Sequence, residues 1–427
     1  MAELGYSDNR ERAIDDVFSF VGKDDDRMAI LSHYLHNGGV LGGGVSALPS
    51  IVRGYLTDIG INDLPESDDE SGLCDDFVGT YGHLFDAFID VPFAPPVDSK
   101  FTFIDLFAGI GGFRIALQNV GGRCVYSSEW DLQAQRTYFA NFGEVPFGDI
   151  TKPQTKRYIP RQFDVLCAGF PCQPFSISGK QKGFEDTRGT LFFDVCQIVQ
   201  EHHPKVIFLE NVKHLVYHDG GRTLATIVSK LEEMEYKVSF KVLNGADFGV
   251  PQNRERIIIV ASLVKKFDFM TIKESPRHNL KDILDKDGDF EYLKPEEYTL
   301  LGETHRQPAS GLIFAGYRNK SIRKAGVRPG TEHLSRVHKQ PNRIYSVEGV
   351  HPTLPSQESS GRFFILTEDN RVRKLTLNEC WRLMGFPDSY RRVSPAGQQY
   401  RQLGNSVCVK MIEAIAKEIK CQLLEIQ

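Results

Sequence analysis

Strand-like and helix-like segments alternate through the middle of the chain. Seven short apolar segments have the length and composition of buried strands. They lie at 101–107, 123–127, 165–168, 205–209, 236–243 and 257–261, with one more ending at 147–150. Apolar residues at helical spacing lie between several of them, at 113–119, 191–200 and 223–235. This alternation predicts an α/β fold around an open sheet, whose ligands bind beyond the carboxyl ends of the strands.

The N-terminal region has a different pattern. Segments 13–21 and 27–35 have helical spacing, whereas 64–76 is an acidic, polar run. Two prolines in the stretch 93–97 predict a domain boundary. We therefore expect an acidic, mostly helical N-terminal extension over residues 1–98. Its role stays open between a plain structural extension and a regulatory or partner-binding segment.

After the last of these strands the alternation is lost, and the chain becomes mixed and charged. Helical spacing returns at 377–384 and 409–424, with a polar turn predicted at 400–408. Asn405 and Ser406 lie just before the last helix. Their side chains are of the kind that caps a helix N-terminus.

Composition sets broad limits. The chain has 427 residues, of which 41% are hydrophobic and 25% charged, which is typical of a soluble protein of two or three domains. No apolar run reaches the roughly 18 residues of a membrane span, and the first residues lack a signal-peptide pattern. None of the eight cysteines forms a Cys-x-x-Cys pair, so we expect no zinc ribbon and a reducing, intracellular location.

The net charge of −5 conceals two opposite halves. Residues 1–98 hold 19 acidic and 5 basic residues, whereas the remainder holds 37 acidic and 46 basic residues. The surplus is concentrated at 306–343, with nine Arg or Lys residues against the single acid Glu332. A charge run is usually a solvated face, but this surplus favours contact with nucleic acid phosphates.

One loop stands out as a candidate for covalent chemistry. Cys172 lies between Pro171 and Pro174, directly after the predicted strand 165–168. The prolines end regular structure there, so the cysteine is placed in a loop at the ligand-binding edge of the sheet. A buried structural cysteine is the alternative. Glu210 ends the next predicted strand at the same edge, with a helix cap or surface acid as its alternative.

The first strand ends predict a nucleoside site. A glycine-rich turn follows the first strand, and Glu129 with Trp130 follows the second. Asp149 ends the third. An acid at the end of the second strand accepts hydrogen bonds from ribose hydroxyl groups, and the indole beside it stacks on a base. The acid at the third strand end would accept from an adenine amino group.

Six motifs in sequence order resemble the bacterial DNA (cytosine-5) methyltransferases of the restriction–modification type. The resemblance covers about 100–424. The motifs are Asp105–Gly112, Glu129-Trp130 with Asp149-Ile150, Phe170–Gln173, Glu210–Val212, Gln252–Arg256 and Gly404–Val407.

The resemblance implies a fold, a cofactor and a reaction. The fold is the Rossmann-like, mostly parallel α/β fold of methyltransferases that use S-adenosyl-L-methionine (AdoMet), with a smaller, irregular target-recognition domain. The catalytic domain would cover 99–267, the recognition domain 268–370, and residues 371–427 would return to the catalytic domain. The methyl group passes to C5 of a flipped-out cytosine in duplex DNA through a covalent Cys172–C6 adduct. No metal is required.

The resemblance also implies roles for individual residues. Catalytic residues are Cys172, Glu210, Arg254 and Arg256. Cofactor-binding residues are Phe107, Ala108, Gly109, Gly111, Gly112, Glu129, Trp130, Asp149, Ile150, Leu191, Asn405 and Ser406. DNA-binding residues are Ser176, Ser178, Lys180, Arg188, Arg318, Arg323, Arg328, Arg336, Arg343 and Thr353. The partner would be double-stranded DNA, bound by a monomer in the bacterial cytoplasm, with a restriction endonuclease as a genetic partner.

Two other functions stay open. Transfer-RNA cytosine-5 methyltransferases of the same fold share the Pro-Cys and Glu-Asn-Val arrangement. A catalytically silent DNA-binding scaffold is the second alternative, although Cys172 and Glu210 are both present. The recognition sequence is not predicted.

Overall fold

The computed structural model describes residues 14–15, 17–19, 26–37, 88, 90–171, 191–320, 330–356 and 363–425. Several predicted site residues therefore lie outside the described residues. They are Cys172, Ser176, Ser178, Lys180, Arg188, Arg323 and Arg328. The acidic run 64–76 also lies outside them.

A six-stranded sheet forms the centre of the catalytic region. Its strands are β1 (Phe101–Leu106), β2 (Gly122–Ser128), β3 (Val165–Ala168), β4 (Val206–Val212), β5 (Lys237–Asn244) and β7 (Glu255–Ser262). The strand order is β2-β1-β3-β4-β7-β5, and β6 (Gln252–Asn253) lies outside this sheet. The pairs among β2, β1, β3 and β4 are parallel, whereas β7 runs antiparallel to both of its neighbours. The largely parallel α/β sheet predicted from the sequence is confirmed.

Helices cover both faces of this sheet, which is why its strands are apolar on both sides. One face packs on α2 (Gly112–Asn119), α3 (Leu132–Phe142) and α9 (Val409–Ile419). The other packs on α5 (Leu191–His202) and α6 (Arg222–Glu233), together with α1 (Arg27–Asn37). Successive side chains of β1 alternate between the two cores, with Phe103 in the first and Ile104 in the second.

A second, five-stranded sheet lies in the C-terminal half, in the order β13-β12-β10-β9-β8. Its strands are β8 (Tyr298–Leu300), β9 (Phe314–Arg318), β10 (Arg343–Ser346), β12 (Phe364–Leu366) and β13 (Val372–Lys374). Strand β11 (His351–Pro352) pairs instead with β6, which joins this part of the chain to the catalytic region. The remaining helices are α4 (Pro153–Lys156), α7 (Leu377–Leu383) and α8 (Ala396–Asn405).

Two predicted elements were wrong. The segment predicted to be a third strand makes only one bridge, between Phe147 and Ser128 at the edge of the sheet. The predicted turn at 400–408 is mostly helix α8. Its sequence looks polar because several of its buried residues are glutamines. These glutamines are hydrogen-bonded inside the protein, as Gln399 is to Trp381 Nε1.

This helix changes the predicted role of two residues. Asn405 is the last residue of α8, and Ser406 is its C-cap. The N-cap of α9 is Cys408, which makes no side-chain capping bond. The prediction that Asn405 and Ser406 cap α9 was therefore wrong. Helix α9 itself ends at Ile419, and the chain continues as a π-helix over Lys420–Leu424.

Among the residues that the structure describes, no helix combines the length and the apolar character needed to cross a membrane.

Candidate active site and cofactor cleft

The turn between β1 and α2 depends on its glycines. Gly109 and Gly111 have φ of +55° and +78°, in the left-handed region that side chains rarely adopt. A Cβ on Gly111 would lie 2.2 Å from Cε2 of Phe142, so this position also needs the space. Phe107 has φ of 56° without being glycine. Such strained residues are concentrated at binding sites, which is consistent with a cofactor loop.

Glu129 holds the glycine turn against the end of β2. Its two carboxylate oxygens accept hydrogen bonds from the backbone N–H groups of Gly109 and Asp131, both at 2.8 Å. Burial raises the pKa of Glu129, although these bonds oppose the shift. The side chain of Trp130 next to it is 77% exposed, so its ring face is open to a ligand.

Asp149, the acid predicted at the third strand end, lies in a segment beside Glu129. The backbone N–H of Glu129 donates to the Phe147 carbonyl oxygen at 2.8 Å, which brings the segment containing Asp149 to the same edge. Asp149 accepts from the Thr151 backbone N–H at 3.0 Å, while Ile150 is buried in the core. The glycine turn and the two predicted adenosine acids therefore lie together.

Asp105 is a site residue to which the sequence assigned no role. It is fully buried near the end of β1, and neither carboxylate oxygen accepts a well-aligned hydrogen bond within the described part of the chain. Burial raises the pKa of Asp105 to about 8, with a smaller opposing effect from Arg114. Unpaired buried carboxyl oxygens beneath a glycine turn suit a ligand carrying positive charge. The acid within an apolar strand run was the signal in the sequence.

The C-terminal segment returns to the glycine turn. A Cβ added to Gly112 would lie 2.7 Å from Cγ2 of Val407 and 3.0 Å from Oγ of Ser406. The side chains of Ser406 and Val407 therefore pack directly on the start of α2. Asn405 is exposed beside it. Leu191 is half-buried at the first turn of α5.

Glu210 and Arg256 form the centre of the second half of the site. Nε of Arg256 lies 3.0 Å from Oε1 of Glu210, as an ion pair without an aligned hydrogen bond. Both side chains are about nine-tenths buried. Burial raises the pKa of Glu210, and Arg256 and Arg254 oppose that shift. Burial thus favours the protonated form of Glu210, which is the form that can donate a proton.

The loop that leads to Cys172 is anchored beside Glu210. Nδ2 of Asn211 donates to the Phe170 carbonyl oxygen at 2.8 Å. A Cβ on Gly169 would lie 3.9 Å from Oε2 of Glu210, so the backbone passes next to the acid. The chain is last described at the exposed Pro171, one residue before Cys172.

Arg254 makes different contacts from Arg256. Its guanidinium donates to the carbonyl oxygens of Gly404 at 3.0 Å and Ser406 at 2.5 Å. Burial, followed by the nearby charge of Arg256, lowers the pKa of Arg254. This arginine ties the motif 252–256 to the C-terminal segment, whereas Arg256 faces the acid.

Four other cysteines within the described residues are poorly suited to act as a nucleophile. Cys124, Cys167 and Cys408 are buried, and burial raises the pKa of each thiol. Cys196 is buried with a pKa raised to about 12, again by burial. A thiolate is the reactive form, so these residues are unreactive.

The predicted DNA-contacting residues that are described have varied surroundings. Arg318 lies 3.8 Å from Glu297 and packs over the Phe364 ring. Nε of Arg343 donates to the His338 carbonyl oxygen, and Oγ1 of Thr353 donates to the Asn253 carbonyl oxygen. Arg336 is exposed.

Within the described ranges, no group of three or more His, Cys, Asp or Glu residues could hold a metal ion.

Solved methyltransferase structures share this fold. The S. pombe Dnmt2 methyltransferase matches with a TM-score of 0.53 at 18% identity, covering 75% of this chain and 98% of its own. The Entamoeba histolytica methyltransferase EhMeth matches with a TM-score of 0.52 at 18% identity, covering 76% and 98%. At this identity the likeness defines the fold class, that of the α/β methyltransferases.

Sequence comparison then gives the family. The sequence model of the C-5 cytosine-specific DNA methylases matches residues 101–421. Type II methyltransferase M.HpaII of Haemophilus parainfluenzae is 45% identical over 76% of this chain and 90% of its own length. M.HhaI of Haemophilus parahaemolyticus is 44% identical, covering 75% and 94%. M.MspI of Moraxella sp is 40% identical, covering 76% and 72%. The chain belongs to the C-5 cytosine-specific DNA methylases.

Membership confirms the predicted enzyme class, a DNA (cytosine-5) methyltransferase of an AdoMet-dependent family. The family match begins at residue 101, so the N-terminal extension lies outside it.

Proposed function

We propose that Cys172 is the nucleophile and Glu210 the acid in methylation of a flipped-out cytosine. The buried Glu210–Arg256 pair beside the Gly169–Pro171 backbone carries this proposal. Cytosine C5 is a poor nucleophile until a thiolate adds at C6 and makes C5 enamine-like. Negative charge then develops at N3, and protonated Glu210 donates there.

The remaining roles follow from the same geometry. Arg256 orients the base and holds the Glu210 carboxyl group in position to hydrogen-bond to it. When bound, AdoMet would supply an electrophilic methyl group to C5, with the S–methyl bond broken and S-adenosyl-L-homocysteine as the product. Loss of the C5 proton and expulsion of the Cys172 thiolate then restore the aromatic ring. These steps need no metal.

We assign the cofactor cleft to the strand ends. Glu129 accepts from the ribose hydroxyls, Asp149 accepts from the adenine amino group, and Trp130 stacks on the base. The glycine turn lets the backbone approach the ligand. The other residues proposed to line this cleft are Phe107, Ala108, Gly109, Gly111, Gly112, Ile150, Leu191, Asn405 and Ser406.

We assign target recognition to residues 268–370 and catalysis to 99–267 with 371–427. The substrate would be a specific short sequence in duplex DNA, bound by a monomer through the loop after Cys172 and the basic segment 306–343. Since the relatives are Type II methyltransferases, the methyl mark would protect nucleoid DNA in the bacterial cytoplasm from a cognate endonuclease.

Labelling with radioactive AdoMet tests this function. Duplex DNA should be labelled and transfer RNA should not; labelling of transfer RNA alone would refute the choice of substrate. Cys172→Ser and Glu210→Gln should each lower the rate at least about a hundredfold, as expected for loss of a nucleophile or acid. A duplex with 5-fluorocytosine at the target should trap an adduct with the wild-type enzyme, because fluorine cannot leave C5 as a proton. Full activity of Cys172→Ser would rule out the mechanism, and no labelling at all would favour a silent scaffold.

A further inference from the structure

Helix α1 of the N-terminal extension covers the open edge of the main sheet. Strand β2 is one of the two edge strands, so its outward backbone groups need partners from elsewhere. Six consecutive residues of α1, Met28–His33, are buried. Ala29 and Ile30 belong to the same core as Ile104, Leu106 and Phe147. The extension is therefore partly built into the catalytic region.

His33 bonds directly to the end of β2. Its Nδ1 lies 2.8 Å from the Ala29 carbonyl oxygen, which can only accept, so Nδ1 carries the hydrogen. Nε2 is then the acceptor for the Ser127 backbone N–H at 3.2 Å. Burial lowers the pKa of His33 to about 4, so the ring is neutral and the nearby Glu144 oxygen is not its ion-pair partner. Ser127 is two residues before Glu129.

Helix α1 also holds the segment that carries Asp149. Oδ1 of Asp26 accepts from the Gly148 backbone N–H at 3.2 Å, and Oγ of Ser32 accepts from the Val145 N–H at 2.9 Å. The His33 and Phe147 rings are 4.8 Å apart. On its other side, Phe147 exchanges backbone hydrogen bonds with Ser127 and Glu129. The two acid-bearing segments are thus held between β1 and α1.

A buried charge network links α1 to the glycine turn as well. Arg114 of α2 donates to both oxygens of Glu144, at 2.6 and 2.7 Å. Burial favours the neutral acid, but Arg114 outweighs it and holds the pKa of Glu144 well below its usual range. Nδ1 of His36 lies 3.2 Å from the same carboxylate. A Cβ on Gly143 would lie 2.9 Å from Cε1 of His36, so α1 is seated closely.

We propose that α1 is a positioning element of the AdoMet site, with His33 and Asp26 as positioning residues for Glu129 and Asp149. The inference rests on the cofactor roles proposed for those two acids. His33 and Asp26 bond to the backbone of Ser127 and Gly148, which lie two residues and one residue before the acids and not on the Glu210 side of the site. Docking of α1 should therefore affect cofactor affinity and not the methyl-transfer step. Coupling of this kind is reciprocal, so bound cofactor should in turn stabilise docked α1.

Two substitutions of the full-length protein test the coupling. Asp26→Ala and His33→Leu should each raise the Kd for S-adenosylhomocysteine about tenfold, the effect of losing roughly one buried hydrogen bond. KM for AdoMet should rise similarly, with kcat at saturating AdoMet within about twofold of wild type. Asp15→Ala is the matched control, since Asp15 is an exposed acid of the same extension whose carboxylate pairs with Arg136 on α3. Its Kd should not change.

Hydrogen exchange on the wild-type protein gives a measurement that does not depend on a variant folding. Saturation with S-adenosylhomocysteine should slow exchange of amides in 27–37 about tenfold. Unchanged exchange there, or unchanged Kd in folded Asp26→Ala and His33→Leu, would overturn the role of α1. If Glu129→Ala also leaves the Kd unchanged, the proposed cofactor cleft is wrong instead. If Glu129→Ala loses tight binding of S-adenosylhomocysteine but Asp26→Ala and His33→Leu keep it, the role of α1 is overturned and the proposed cofactor cleft stands.

Discussion

At the residue scale, the chemistry depends on where Glu210 keeps its proton. Burial raises its pKa, and the guanidinium of Arg256 at 3.0 Å pulls in the opposite direction. Burial therefore favours the protonated carboxyl group, whereas Arg256 favours the ionised form that pairs with it. A more exposed glutamate would be ionised. A buried glutamate without Arg256 beside it would lack the arginine that orients the base.

The pH profile of Arg256→Gln tests this balance. An acid that must be protonated works below its pKa, and removing Arg256 removes a cause that lowers it. The alkaline limb of kcat/KM should therefore move to higher pH, while the maximum falls because the base is less well oriented. Lys230→Gln, on the outer face of α6, is the control and should leave the limb in place. A shift to lower pH in Arg256→Gln would contradict the assignment.

The buried carboxyl group of Asp105 should make the stability of the folded protein depend on pH. Its pKa is raised by burial to about 8, so the folded state binds this proton more tightly than the unfolded state. The associated stability is complete below the unfolded pKa and is lost as the pH rises towards 8. Asp105→Asn keeps the shape and removes the titration. Between pH 6 and 8 the Tm of the variant should fall less than that of wild type in thermal unfolding, and parallel curves would count against the buried neutral acid.

At the element scale, the glycine turn and the C-terminal segment act as one unit. Gly112→Ala should lower Tm and weaken AdoMet binding, since its Cβ would lie 2.7 Å from Val407. Gly302→Ala is the matched control, because no atom lies within 4 Å of its Cβ position. Calorimetry of unfolding and of AdoMet binding measures both effects. Equal behaviour of the two variants would mean that 406–407 does not pack on the turn in solution.

Features of the fold and site could be predicted where the residues that define them are contiguous in the sequence. Strand ends carrying Glu129 and Glu210 were predictable because apolar runs and the acids that follow them are contiguous. Helix α8 was missed because glutamine is usually an exposed polar residue. Its buried glutamines are hydrogen-bonded to residues from other parts of the sequence, as Gln399 is to Trp381. Docking of α1 was equally hidden, since His33 reaches Ser127 only through the fold.

At the scale of the whole molecule, charge is divided between its parts. The extension is acidic, whereas residues after 98 carry the basic surplus, densest at 306–343. Some of these basic residues make contacts within the protein. Arg318 packs over the Phe364 ring, and Arg343 donates a hydrogen bond to a backbone carbonyl oxygen. Sequence counts alone could not separate such residues from those that contact phosphate.

Arg336 provides the sharpest test of the basic segment because it is exposed. Each phosphate neutralised by the protein makes log K fall against log salt with a slope of about −0.9 on duplex DNA. Arg336→Ala should therefore weaken binding for every duplex and make the slope less negative by about 0.9. Lys417→Ala is the control, since it removes one exposed charge from α9 outside the segment, and its slope should match wild type. Fluorescence anisotropy with duplex DNA across a salt series measures both slopes. If Arg336→Ala and wild type share one slope while folding is intact, Arg336 does not contact phosphate.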